Sequence, residues 1–214
     1  MTPCWIICSP RCGSTYLCDL LNNTNLFEPK FVEYFNAQFT NPKLLPFCKI
    51  QPNQWKKNKL NVRIIRDKFP NIKFIQITRK NFIDRATSYC LANLSNIWSI
   101  GDNVTNDPLN CFQKSKRTYI NKEIKIDEDV LNHLTKSLIL EIEKEKKIIE
   151  EIEPIIKVDY EEIISDPIEV LSKILLCLGY SGTIKTQSIL EKMPEKPEKE
   201  KIKKMILKHF VKVI

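Results

Sequence analysis

A chain of 214 residues, 43% hydrophobic and 28% charged, has room for one domain with a sizeable core and the composition of an ordinary globular protein. No apolar run approaches the ~20 residues that span a bilayer, so no transmembrane segment is expected. Met1-Thr2-Pro3 leads into an apolar run without the basic start of an export signal, and a cytoplasmic location is expected. The net charge of +8 suits an anionic ligand, but acids are interspersed among the lysines, so no nucleic-acid partner is expected.

The run Cys4 to Cys8 reads as a short buried strand, Ser9-Pro10-Arg11-Cys12-Gly13-Ser14-Thr15 as a tight loop, and the residues up to Leu21 as the first turns of a helix. A helix start in this place offers backbone N–H groups and the positive end of the helix dipole. Arg11 adds a planar fork of donors, and Ser14 and Thr15 add hydroxyls. The loop therefore predicts a phosphate or sulfate cradle, with an ordinary turn capped by Ser14 as the plainer alternative. It is not the triphosphate loop G-x-x-x-x-G-K-[ST], because the first glycine and the lysine are missing.

Leu44–Ile50 reads as a strand with Lys49 near its end, and Pro46 marks an edge or an irregular start. Lys49 is either a solvated strand-end charge or a cation for a ligand. Ile72–Thr78 is β-rich, and Arg79 follows at the carboxyl end, where open α/β sheets bind ligands. A helix is predicted from Asn81 to about Ile97 and carries Ser88. A long helix is predicted from Asp127 to Glu151, with Val130, Leu134 and Leu138 inward and a Glu/Lys-rich outer face.

Ile155–Asp159 reads as a further strand. Asp166 then suits an N-cap, Pro167 a first helical position and Gly179 the helix stop. Between Glu195 and Lys212, Ile202, Met205, Ile206 and Phe210 fall at helical spacing and predict a docked amphipathic helix. The succession predicts a single α/β domain over 1–214, with a central, mostly parallel sheet flanked by helices and a basic helical tail over about 183–214.

The eight cysteines include no C-x-x-C pair, so no zinc site is expected and reduced thiols are the default. Cys12, at a helix start beside Arg11, is expected to be unusually reactive and protected by a ligand on the loop. Of the two histidines, His133 falls in the charged helix and His209 in the tail, and neither follows a strand.

The loop, Arg79 nine residues before Ser88, Trp98, and the run Asp159-Tyr160-Glu161 followed by Asp166-Pro167 together resemble the sulfotransferases that use 3′-phosphoadenosine 5′-phosphosulfate (PAPS). The pattern is similar to that of the bacterial trehalose and glycolipid sulfotransferases, although Cys12 stands where these usually have serine. The resemblance implies a P-loop-like three-layer sandwich. It also implies that Arg11, Cys12, Gly13, Ser14 and Thr15 hold the 5′-phosphosulfate and that Arg79 and Ser88 hold the 3′-phosphate.

Sulfuryl transfer needs a base at the acceptor and cations at the bridging oxygen. By resemblance the base is Glu33, just before Tyr34 and Phe35, with Glu28 as second choice; Lys49 and Arg11 are the cations, and no metal is required. Lys49-Ile50-Gln51 lacks the histidine that cytosolic relatives carry two residues after the lysine, which moves the base role toward a glutamate. The acceptor is expected to be a small molecule or glycan hydroxyl, selected by segments 25–45 and 98–125. A P-loop kinase using Asp159 as a metal ligand and a non-catalytic nucleotide-binding protein are the other readings. No motif speaks to oligomeric state.

Overall fold

Residue Pro3 opens the first buried segment of the computed structural model, which describes residues 3–24, 27–30, 45–100, 113–114, 123–182 and 196–210. The chain divides into two compact units, Met1–Lys80 with Glu141–Gln187, and Asn81–Leu140 with Ser188–Ile214.

The first unit is built on a five-stranded sheet. Its strands are β1 (Cys4–Ile7), β2 (Phe27–Lys30), β3 (Leu45–Ile50), β4 (Lys73–Thr78) and β7 (Ile156–Asp159), in the order β2-β3-β1-β4-β7. Every pairing is parallel. Parallel sheets are covered on both faces, and β1 is accordingly apolar and buried at every position.

Side chains alternate between the two faces. Ile6, Ile75 and Ile77 point to one side, where they meet Leu17 and Leu21 of α1 (Ser14–Asn22), Ile163 of α6 (Tyr160–Ser165) and Leu171 and Ile174 of α7 (Pro167–Cys177). Trp5, Ile7 and Phe74 point to the other. There they meet Trp55 of α2 (Pro52–Lys57), Ile65 of α3 (Val62–Lys68) and Ile148 and Ile152 from the end of α5 (Glu128–Ile152). Trp5 sets its ring edge-on to both Trp55 and Phe74, each at 6.5 Å between centroids, a preferred aromatic arrangement.

One strand here was not predicted, and the irregular start that Pro46 marks is present. Phe27–Lys30, where no strand is predicted, is the edge strand β2. Pro46 sits in a strand paired on both sides, but β3 pairs with β1 only from Phe47 onward. Its missing N–H therefore falls at the ragged start of that ladder.

Helix ends follow local chemistry. Asp166 caps α7 by accepting from the Glu169 N–H at 2.9 Å, and Pro167 occupies the first helical position. At the other end Gly179 has φ +87°, with Gly179 N–H bonded to Leu176 O and Tyr180 N–H to Leu175 O. This is the paired closure that a left-handed residue after a helix permits.

The second unit contains α4 (Phe82–Ser95), β5 (Ser99–Ile100), β6 (Gln113–Lys114), the first half of α5 and α8 (Pro197–Phe210). The α8 helix packs against α4 with Ile202 and Ile206 buried, and Lys203 pairs with Asp84 at 2.8 Å. The inward face of α5 differs from its sequence reading: Val130 is exposed, and the buried stripe runs through Leu131, Thr135, Leu138, Glu141, Glu145, Ile148 and Ile152. Two glutamates expected on the outer face therefore lie on the inner one. Among the described residues no helix is long and apolar enough to cross a membrane.

Candidate functional site

The loop after β1 turns on two left-handed residues, Arg11 at φ +62° and Gly13 at φ +85°. Gly13 is the N-cap of α1, and no side chain caps that helix. The first intrahelical bond runs from Leu17 N–H to Gly13 O at 3.0 Å, so the N–H groups of Ser14, Thr15 and Tyr16 have no acceptor within the helix. A helix start left open in this way, with the dipole behind it, is an anion site. At its rim, Lys49 on β3 donates to the Thr15 hydroxyl at 3.1 Å. The parallel register of β3 and β1 carries Lys49 there, opposite Ile6.

The far wall is Tyr160, the first residue of α6. A Cβ on Gly13 would collide with its ring, so position 13 needs glycine both for the positive φ and for space. Across the ring lies Arg79, its guanidinium carbon 4.4 Å from the Tyr160 centroid, a cation–π stack. The buried Nε of Arg79 has no hydrogen-bond partner among the described residues. A buried donor without an acceptor is costly and fits an anion arriving at this strand end.

The turn bearing Arg79 is fastened from below. The Thr78 hydroxyl donates to Asp159, Lys80 Nζ lies 2.6 Å from the same carboxylate, and the Lys80 N–H donates to Glu161 at 3.3 Å. Burial pushes the Asp159 carboxyl up, but the hydrogen bonds from Lys80 and Thr78 and the Lys80 charge outweigh it and hold the group below its ordinary value. Asp159 is thus engaged by a cation of the chain itself, which leaves the kinase reading without its open strand-end carboxylate.

The family model described as Stf0 sulphotransferase matches residues 49–205, most of the chain. The chain belongs to the Stf0 sulfotransferase family. No curated protein matches it. Among solved structures, a sulfotransferase from Alicyclobacillus acidocaldarius aligns at 14% identity and TM-score 0.45, covering 94% of this chain and 89% of that one. The mouse sulfotransferase SULT7A1, complexed with PAP, aligns at 15% identity and TM-score 0.44, covering 94% of this chain and 63% of that one. A sulfotransferase domain from the curacin biosynthetic pathway aligns at 15% identity and TM-score 0.41, covering 96% and 97%.

In this sulfotransferase the structure brings Gly13, Ser14, Thr15, Lys49 and Arg79 around one helix start, with Tyr160 between the loop and Arg79. Ser14 is buried and its hydroxyl reaches the Cys8 sulfur, so its backbone N–H rather than its side chain faces the cradle. Ser88 lies on α4, in the second unit. Glu33 lies outside the described residues, and Glu28 lies on β2.

Cys12 corrects the sequence reading. It is 0% exposed and packs in the core with Cys8, Leu17 and Ile6. Its contact with Cys8, together with burial, pushes the Cys8 thiol well up. A side chain turned inward from the loop has no open path to a thiol reagent, so the expected ligand-protected reactivity has no basis. The neighbouring thiols follow the same rule, burial raising Cys18 to about 11 and Cys48 to about 12.

Glu145 was missed altogether. Its signal was present, since it continues the stripe of Leu131, Leu138, Ile148 and Ile152 at helical spacing, but its charge argued for the outer face.

Proposed function

We propose that the protein transfers a sulfuryl group from PAPS to an acceptor hydroxyl, most naturally on a carbohydrate or glycolipid. The observation that carries the donor reading is the buried, unpartnered Nε of Arg79, joined through Tyr160 to an uncapped helix start. Two anionic subsites, one at the helix N–H groups and one at a strand-end arginine, suit a ligand with phosphates at both ends of a ribose.

In this reading the N–H groups of the loop from Arg11 to Thr15 hold the 5′-phosphosulfate, and the Cys12 side chain takes no part. Lys49, on the Thr15 hydroxyl, supplies positive charge near the bridging oxygen as the S–O bond to the phosphate breaks. Arg79 takes the 3′-phosphate by resemblance, a role its unpartnered Nε supports; Ser88 shares it on sequence spacing and resemblance alone. Glu33, or Glu28 in second place, would take the acceptor proton as the acceptor oxygen bonds to sulfur and 3′,5′-adenosine diphosphate leaves. These carboxylate roles and the sugar acceptor rest on the resemblance to trehalose-type enzymes.

The test is calorimetric titration with 3′,5′-adenosine diphosphate against ATP with magnesium. Tight binding of the bisphosphate and weak binding of ATP is the expected result. The reverse order would move the protein to kinase chemistry, and binding of neither would favour a non-catalytic role. Glu33→Gln should then abolish turnover of labelled PAPS while sparing bisphosphate binding.

A further inference from the structure

We propose that Glu145 is a positioning residue for the anion-binding loop. It sits in the buried stripe of α5 at 3% exposure, one turn before Ile148, where an apolar side chain would do the packing. Removing a carboxylate from water is expensive unless its oxygens are satisfied. Here one oxygen accepts the Ser9 backbone N–H at 2.7 Å and the Ser9 hydroxyl, and the other accepts the Gln76 amide at 3.1 Å.

Ser9 is the residue from which the chain leaves the sheet, and it is fully buried. Its N–H fixes the direction in which Pro10 to Gly13 depart. Gln76 lies on β4, opposite Ile7 of β1. The carboxylate therefore ties the first residue of the loop to the neighbouring strand, three residues before the strand-end Arg79. No apolar side chain can accept the Ser9 N–H, so Glu145 supplies what packing cannot. It acts through the loop and touches no ligand in this scheme.

Three variants test this with two readouts: amide hydrogen exchange of the segment 8–15, and affinity for 3′,5′-adenosine diphosphate. Glu145→Leu removes both acceptors, and Glu145→Asp keeps the charge but retracts it from Ser9. Both should speed exchange in the loop while β4 and α7 stay protected, and both should weaken bisphosphate binding about tenfold or more. Glu145→Gln keeps an oxygen for Ser9 and should stay within about threefold of the parent.

Unchanged loop exchange in Glu145→Asp would overturn the proposal, and so would a Gln variant as impaired as the Leu variant. If Glu145→Leu does not fold, the Asp and Gln pair decides alone. The affinity arm rests on the proposed donor, but the exchange arm does not. A parent protein that fails to bind the bisphosphate counts against the donor, while loop exchange still decides the role of Glu145.

Discussion

At the residue scale, Arg79 illustrates how a side chain can be held on an aromatic ring with a buried donor left for a ligand. Its flat guanidinium rests on Tyr160 and leaves Nε unpaired. Lysine has neither the plane nor the fork, so Arg79→Lys should weaken 3′,5′-adenosine diphosphate binding by about 1.5–3 kcal/mol, the worth of a charged hydrogen bond, with little change in Tm. Calorimetry beside a melting curve separates the two effects.

The neighbouring Asp159 gives a pH signature. Its folded value lies below the ordinary one. The stability it contributes is therefore complete above the usual carboxylate range and is lost as the pH falls through the lowered folded value. Lys80, raised by the hydrogen bond and charge of Asp159, has the opposite sign: its share is present below the ordinary lysine value and lost as the pH rises through the higher folded one. Asp159→Asn should flatten the acid limb of a Tm-against-pH curve; an unchanged limb would remove the pair from the account.

At the scale of elements, the chain was most legible where its chemistry is local. Asp166-Pro167 and Gly179 bracketed α7, because caps and stops act within a few residues. Asp166→Ala should accordingly cost about 1 kcal/mol, readable as a shift in the urea midpoint at constant m. Less legible was whatever depended on distant partners. The edge strand β2 is recognisable only through its pairing with β3. The inward turn of Glu141 and Glu145 depends on what α5 packs against, and their charge pointed the other way. The loop was legible as an anion site, but the direction of its side chains was not. Cys12 and Ser14 look inward because β1 leads into α1 through two left-handed residues, a backbone path that spacing alone does not reveal.

At the scale of the whole molecule, the parallel α/β plan could be read from alternating apolar runs and helical periods, and the five-stranded sheet follows it. The core of the first unit is unusually rich in thiols, with Cys4, Cys8, Cys12 and Cys48 all buried and Cys177 exposed. Peptide-resolved labelling with an alkylating reagent should therefore modify Cys177 within minutes and leave those buried thiols intact until the protein unfolds. Rapid native labelling of Cys12, with or without nucleotide, would contradict this packing. The charge of +8 acts at the same scale. Bisphosphate affinity should fall as salt rises, because screening shortens the reach of the cations.

The ring of Tyr160 fills the space that a methyl group at position 13 would need, which makes residues 13 and 160 a compensatory pair far apart in the chain. Gly13→Ala alone carries a steric and a torsional penalty. Combined with a smaller residue at 160 it keeps only the torsional part, about 1–2 kcal/mol for a left-handed alanine. A selection for function from a library varied at both positions should return alanine at 13 only with a small side chain at 160, and those survivors would have given up the platform on which Arg79 lies.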